Sequence, residues 1–192
     1  MEKKLQGKDL MNMGIYTAIY FFVTFLVAML GFIPIFMVLM VIIAPLIGGI
    51  PFMLFLTKVK KPGMIFIMSV IMGLLMLLTG MGYWPLIISI ITDVAAELIY
   101  KAGQYKSAKS AVLAAGIFSL WMWGNYLPLF FNPDQYFASR QSFGQGYVDS
   151  LTSMLPTWMC PVLLIFCFLS GMAGGLFGKK MLKKHFKKAG IA

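Results

Sequence analysis

Residues 170–178 read SGMAGGLFG, and residues 179–188 continue as KKMLKKHFKK. Gly171 and Gly175 are four residues apart, and Gly174 and Gly178 repeat this spacing. On a helix, such spacing removes side chains from one stripe, so the backbone of a second helix can approach closely. Six lysines in the ten residues that follow are typical of the cytoplasmic end of a membrane span. The segment therefore predicts a closely packed membrane helix that ends in the cytoplasm.

The composition of the chain also indicates an integral membrane protein. Of its 192 residues, 60% are hydrophobic and only 11% are charged, whereas a soluble domain carries about 25% charged residues. A chain this apolar needs the lipid bilayer as its solvent. The net charge of +10 does not indicate a nucleic-acid partner, because the lysines stand in short clusters between apolar runs.

Six apolar segments predict an all-α bundle of six transmembrane helices that forms one domain over residues 1–192. The predicted spans cover about residues 11–30, 35–57, 64–78, 83–100, 110–131 and 151–178, with a polar extracellular loop at 132–150. An even number of spans puts both termini on one side, and 15 of the 16 basic residues then share that side. Only Arg140 falls on the other side. The positive-inside rule therefore predicts cytoplasmic N- and C-termini.

The second span is interrupted by two prolines and two glycines within residues 45–51, which predict a kink or a local unwinding. An alternative interpretation makes residues 33–57 a re-entrant pair of half-helices, as in some transporters. That alternative would place the lysines of residues 58–61 outside, against the charge bias.

Asp93 and Glu97 are the only charged residues well inside a predicted span, and they lie four apart on one helix face. A charge at the bilayer centre costs about 2.5–3.5 kcal/mol, so Asp93 should face protein or water. The functional interpretation of the pair is a coupling site or a proton or cation relay. The structural interpretation is a hydrogen bond to a neighbouring helix or a contact with a cytoplasmic partner. It is favoured because both residues lie toward the inner side.

The outer half of the predicted bundle is rich in aromatic residues and poor in charge. An interfacial aromatic belt accounts for part of this pattern. A ligand pocket roofed by residues 132–150 is the sharper interpretation, since small-molecule sites have apolar walls with few polar groups. Arg140, the only outward cation, is the expected partner of an anionic ligand group. The candidate substrate-binding residues are Tyr83, Trp84, Trp123, Asn125, Tyr126, Arg140, Tyr147, Trp158 and Met159.

The sequence carries no signature of an enzyme or of a bound metal. It has no GxSxG, HExxH or Walker motif, so no catalytic residue is predicted and the chain lacks a P-loop for ATP hydrolysis. Met154, Met159 and Cys160 are potential soft metal ligands, but no outward histidine accompanies them. Most of the 17 methionines are interpreted as flexible core filler.

Three segments give the chain a resemblance to a known family: residues 174–191 (GGLFGKKMLKKHFKKAGI), residues 8–10 (KDL) and residues 93–99 (DVAAELI). With six spans and basic termini, the chain resembles the substrate-binding S components of energy-coupling factor (ECF) importers, and more narrowly the Trep_Strep family. Such S components dock on a coupling subunit through an AxxxA-type motif in their first helix. Gly14 and Ala18 match those positions here, with glycine in place of the first alanine.

The resemblance implies a multi-pass protein of the bacterial plasma membrane that captures a micronutrient from outside. It implies one coupling membrane subunit and two ATPases as partners; the ATPases would use ATP and Mg²⁺, and this chain would bind no catalytic cofactor. The aromatic outer half with one arginine suits a flat ligand with carboxylates, so haem or a related tetrapyrrole is the first choice and vitamins are alternatives. The competing hypothesis is a stand-alone secondary transporter coupled to protons or cations through Asp93.

Overall fold

The computed structural model describes residues 6–138, 140–184 and 187, and these residues contain helices and no strand. Lys3, Lys4 and the tail residues 185–186 and 188–192, which carry part of the predicted basic termini, lie outside the described residues. The helices are α1 Gly7–Ala28, α2 Pro34–Lys58, α3 Met64–Leu78, α4 Trp84–Ala102, α5 Ala108–Phe118, α6 Leu120–Gly124, α7 Leu127–Phe131, α8 Pro133–Ala138, α9 Gln145–Met154 and α10 Met159–Met181. Two 3₁₀ turns, Met29–Phe32 and Gln141–Phe143, follow α1 and α8.

The outside of the bundle is apolar. In the described chain, three helical segments are long and apolar enough to cross a membrane: Gly7–Phe32, Pro34–Lys58 and Met159–Met181. α3, with 15 residues, is a shorter apolar helix. Large side chains such as Leu78 and Ile91 are 82% and 64% exposed. An apolar exterior on a helical bundle is what contact with lipid requires, so the fold is that of a helical membrane protein.

α10 packs between α2 and α5 through two rows of glycines. Gly174 and Gly178 face α2, where a Cβ atom added at Gly174 would lie 2.5 Å from two backbone carbonyl oxygens. Gly171 and Gly175 face α5, where a Cβ atom added at Gly175 would lie 3.0 Å from the Cβ of Ala115. The small-residue surface predicted from the four-residue spacing is therefore confirmed, and it serves two neighbouring helices.

α2 runs unbroken over residues 34–58, through both of its internal prolines. The predicted unwinding is therefore wrong, and so is the re-entrant alternative, which needs two half-helices. The glycines of this segment allow close packing on two sides, because Gly48 faces Tyr20 on α1 and Gly49 faces Gly174 on α10. Tertiary contacts of this kind override the low helix propensity of proline and glycine.

The predicted fifth span, residues 110–131, consists of the three short helices α5, α6 and α7 instead of one helix. The backbone tightens to i→i−3 hydrogen bonds at both joints. At the first joint, the Ser119 hydroxyl donates to the carbonyl oxygen of Gly116 at 2.7 Å and competes with the regular helix pattern. At the second joint, Pro128 has no N–H group to donate to the preceding turn.

The sixth span also departs from its predicted bounds of 151–178. Residues 151–154 complete α9, and α10 begins only at Met159. Pro156 disfavours the helical conformation in the residue before it, and Leu155 accordingly has φ −118° and ψ 61°. The predicted loop at 132–150 is largely helical, because α8, a 3₁₀ turn and part of α9 fall within it.

Asp9 connects the start of α1 with the segment before α3 at the lysine-bearing end of the bundle. Its Oδ2 accepts a hydrogen bond from the Gln6 N–H at 2.9 Å, so α1 begins at Gly7, four residues before the predicted span. The same oxygen forms an ion pair of 2.6 Å with Lys61, which precedes α3. The Lys61 ammonium and the Gln6 amide hold the pKa of the Asp9 carboxyl below its usual value.

Candidate functional site

A cavity of about 430 Å³ lies at the end of the bundle remote from the lysines. Its wall comes from the C-terminal end of α1, the N-terminal part of α2, the C-terminal end of α3, α6, and the three residues Tyr136, Arg140 and Phe143. α1, α2 and α5 carry lysines at their opposite ends, with Lys8 near the start of α1, Lys58 at the end of α2 and Lys109 near the start of α5. The cavity and the described lysines therefore occupy opposite ends of the molecule.

Thioethers and aromatic rings form most of the cavity wall. The methionines are Met29, Met37, Met40, Met76, Met81 and Met122. The aromatic residues are Phe25, Phe32, Trp121, Tyr126, Tyr136 and Phe143. Methionine side chains adapt to the shape of a ligand, and aromatic faces favour a flat one. The volume falls within the range of about 300–1,000 Å³ that is usual for small-molecule sites.

Asn125 brings an amide group to this apolar wall. Its Nδ2 donates to the carbonyl oxygens of Trp121 and Met122, both at 3.3 Å. Its Oδ1 is buried and has no hydrogen-bond partner among the described residues. Because a buried acceptor without a donor is unfavourable, a ligand N–H or O–H group that reached this oxygen would be held there.

Arg140 brings a positive charge to the wall and is held in a defined orientation. Its Nη2 donates to the carbonyl oxygen of Gly80 at 2.7 Å, and its Nη1 donates to that of Tyr136 at 3.0 Å. The guanidinium carbon lies 3.9 Å from the centre of the Tyr136 ring. Burial raises the pKa of Tyr136, and the nearby guanidinium partly offsets this effect. The wall thus presents a fixed cation beside a neutral phenol.

The structure brings part of the predicted pocket together. Three of the nine candidate substrate-binding residues line the cavity: Asn125, Tyr126 and Arg140. Tyr147 stands behind the wall, because its ring stacks on that of Phe143 with a centroid distance of 4.5 Å. The Tyr147 hydroxyl also donates to the carbonyl oxygen of Gly31 at 2.6 Å, which ties α9 to the turn after α1.

The remaining candidates lie away from the cavity wall. Tyr83 and Trp84 stack on each other at the start of α4, with ring centroids 5.5 Å apart. Trp123 turns toward α10 and donates its indole N–H to a carbonyl oxygen there at 2.9 Å. Trp158 is 65% exposed, and Met159 begins α10. These positions fit the interfacial aromatic belt that the sequence also predicted.

The six methionines of the wall are not among the predicted site residues, because most methionines of the chain were interpreted as core filler. A signal was present, since Met37, Met40 and Met76 lie toward the ends of α2 and α3 that are remote from the lysines. Met122 is the central residue of α6, which follows the lysine-bearing α5. The remaining two occupy the turns after α1 and α3.

Glu97 and Asp93 have different surroundings although they lie on one face of α4. Glu97 Oε2 accepts a hydrogen bond from the Ile65 N–H at the start of α3, and its Oε1 accepts one from the Tyr105 hydroxyl, both at 3.0 Å. Glu97 thus links α4 to the start of α3 and to Tyr105 at the lysine-bearing end of the bundle. Asp93 is fully buried, so it faces protein as expected.

Gly14 and Ala18 lie exposed on the outer face of α1. A Cβ atom added at Gly14 would meet no other atom within 4 Å. Among the described residues, this pair of small residues therefore takes no part in helix packing, in contrast to the glycines of α10.

The helical architecture and the apolar exterior define an integral membrane protein. The chain belongs to the Trep_Strep family, because the model of this family, described as a hypothetical bacterial integral membrane protein, matches residues 7–188. Neither a curated protein nor a solved structure matches the chain.

Proposed function

We propose that this protein is the substrate-binding S component of an ECF-type importer in the bacterial plasma membrane. The observation that carries the proposal is the apolar cavity at the end remote from the lysines. If the positive-inside rule holds, α1, α2, α3, α4, the α5–α7 segment and α10 cross the membrane in turn, both termini are cytoplasmic, and the cavity opens outward. A site so placed captures a nutrient before it enters the cell.

The face of α1 that carries Gly14 and Ala18 supports a docking role for the first helix. A small-residue pair that its own bundle leaves uncovered allows the backbone of another membrane helix to approach closely. In the proposed importer that helix belongs to the coupling subunit. Two partner ATPases supply the energy from ATP and Mg²⁺, since this chain has no P-loop.

The proposed ligand is flat, largely apolar and anionic at one edge, and haem or a related tetrapyrrole remains the first choice ahead of the vitamins. The aromatic wall suits the macrocycle, and Arg140 suits a carboxylate. The thioethers offer soft axial ligands for iron, a role that methionine has in cytochromes.

The importer assignment is tested by purifying a tagged copy from its host in mild detergent and identifying the proteins that accompany it. We expect a membrane coupling subunit and two ATPases. Gly14→Leu and Ala18→Leu should reduce their recovery, whereas Ala173→Leu, which adds the same bulk to an exposed site on α10, should not. Recovery of the chain alone even after cross-linking in the membrane would contradict the assignment.

The choice of haem is tested separately by the visible absorption spectrum of the purified protein after incubation with haem. A bound-haem Soret band that survives desalting is the expected result. If the band is absent, haem is rejected as the ligand while the importer assignment stands on its own evidence.

The burial of Asp93 favours a second candidate function, a stand-alone transporter coupled to protons or cations. This hypothesis predicts that the lone protein in liposomes takes up its ligand in response to an ion gradient, and that Asp93→Asn abolishes the uptake. Uptake that occurs only with the coupling subunit and the ATPases would exclude it.

A further inference from the structure

The Asp93 carboxyl group is buried between α3 and α4 without a charged partner. Its exposed fraction is 0%, and its Oδ2 has no hydrogen-bond partner among the described residues. The described chain places no lysine, arginine or histidine in an ion pair with it. A buried carboxylate needs a positive charge or several hydrogen-bond donors to offset its lost hydration.

Two hydroxyl groups, those of Thr92 and Ser69, lie beside the Asp93 carboxyl. Thr92 Oγ1 lies 3.5 Å from Asp93 Oδ1, but its single proton goes to the carbonyl oxygen of Ile88 at only 2.9 Å. Ser69 approaches the same carboxyl from α3, and its hydroxyl also lies 3.4 Å from the carbonyl oxygen of Ser89. A buried carboxyl group and two hydroxyl groups therefore share one helix interface.

We infer that Asp93, Thr92 and Ser69 form a binding site for a small monovalent cation, with Na⁺ as the ion that fits best. Oxygen ligands select hard cations over soft ones. A single carboxylate balances one positive charge, whereas Ca²⁺ takes about 6–8 oxygen ligands and usually several carboxylates. Glu97 is not a further ligand, because both of its carboxyl oxygens accept hydrogen bonds elsewhere.

The tight packing of α3 on α4 favours a small ion. A Cβ atom added at Gly73 of α3 would lie 2.9 Å from the Cα of Leu86 on α4. The two backbones are thus close together one turn from Ser69 and Ser89, and the space between them is limited. Na⁺ is therefore a better candidate than K⁺.

The inference goes beyond the proposed import role and does not depend on it, because it concerns an ion bound by the isolated chain.

The test is the thermal unfolding of the purified protein in detergent, followed while NaCl replaces choline chloride at constant ionic strength and pH. We expect the Tm of the wild type to rise saturably with Na⁺ and much less with K⁺. Asp93→Asn should abolish the Na⁺-specific rise, and Thr92→Val should raise the half-effective Na⁺ concentration several-fold. Glu97→Gln, a matched change one turn further along α4, should keep the wild-type half-effective concentration.

Three results would overturn the inference. The first is an equal Tm of the wild type in NaCl and in choline chloride, as a carboxyl that only takes up a proton would give. The second is a Na⁺ response of Asp93→Asn equal to that of the wild type. If Asp93→Asn does not fold, an unchanged half-effective Na⁺ concentration in Thr92→Val decides against the site.

Discussion

Gly174 of α10 lies against Gly49 of α2, and a Cβ atom built at Gly49 would overlap the backbone of Gly174. The reverse also holds, because a Cβ atom at Gly174 would collide with carbonyl oxygens one turn earlier on α2. Neither helix can carry a side chain at this contact unless the two backbones separate. The close packing of the two helices therefore requires glycine at both positions.

We expect Gly174→Leu to destabilise the bundle by more than the usual overpacking cost of about 1–3 kcal/mol, because the obstacle is backbone and cannot rotate away. The measurement is the unfolding temperature in detergent. Ala173→Leu, the adjacent exposed position, is the control and should unfold like the wild type. Equal stability of the two variants would show that α2 and α10 do not pack as described.

Glu97 and Tyr105 should prove energetically coupled. Tyr105 has a left-handed φ of 56°, which is unfavourable for a tyrosine, and its hydroxyl is held by Glu97 Oε1 at 3.0 Å. Glu97→Gln should cost about 1.5–3 kcal/mol and Tyr105→Phe less, since a hydrogen bond to a charged group contributes that amount. A double-mutant cycle on the unfolding free energy measures the coupling, and strict additivity of the two changes would contradict the hydrogen bond.

The Asp9–Lys61 pair should make stability fall in acid. The folded pKa of Asp9 lies below its ordinary value of 3.8, so the pair stabilises the folded protein above about pH 4. That contribution is lost as the pH falls through the lowered pKa, when the carboxylate takes up a proton. Asp9→Asn should therefore lower the Tm near neutral pH and have little effect at the lowest pH. High salt should shrink the difference, because both side chains are partly exposed. A difference that persists unchanged in acid would contradict the assignment.

Arg140→Gln should weaken the binding of an anionic ligand by about 10–100-fold, since a hydrogen bond to a charged group is worth about 1.5–3 kcal/mol. The comparison that isolates the charge uses haem and its dimethyl ester with both proteins. The wild type should prefer haem, and Arg140→Gln should bind the two forms alike. If the ester and the acid lose affinity equally on substitution, Arg140 supports the wall but does not recognise a carboxylate.

The packing of α10 could be predicted from the sequence because its cause is local. The spacing of Gly171, Gly174, Gly175 and Gly178 determines which helix faces are bare, whatever the partner helices are. The separation of Arg140 from the lysines could also be predicted from the sequence, since they fall in different connecting segments. Both properties depend on periodicity and on the cost of moving charge across lipid, and both operate within a few residues.

The interruptions of the fifth and sixth spans escaped prediction for a different reason. Hydropathy is averaged over many residues, so a single residue such as Ser119 or Pro156 hardly changes the mean hydropathy of an otherwise apolar segment. The opposite error occurred in α2, where contacts from α1 and α10 keep helical a segment that proline and glycine would weaken. The cavity wall also depends on distant elements, because Met37, Met76 and Met122 meet only after three helices pack.

The thioether wall of the cavity has a chemical consequence. Oxidants such as peroxide convert methionine to its sulfoxide, which is polar and chiral and no longer matches an apolar ligand. A cavity lined by six such side chains would lose its ligand preference step by step under oxidative stress. Recovery would then depend on methionine sulfoxide reductases that can reach this side of the membrane.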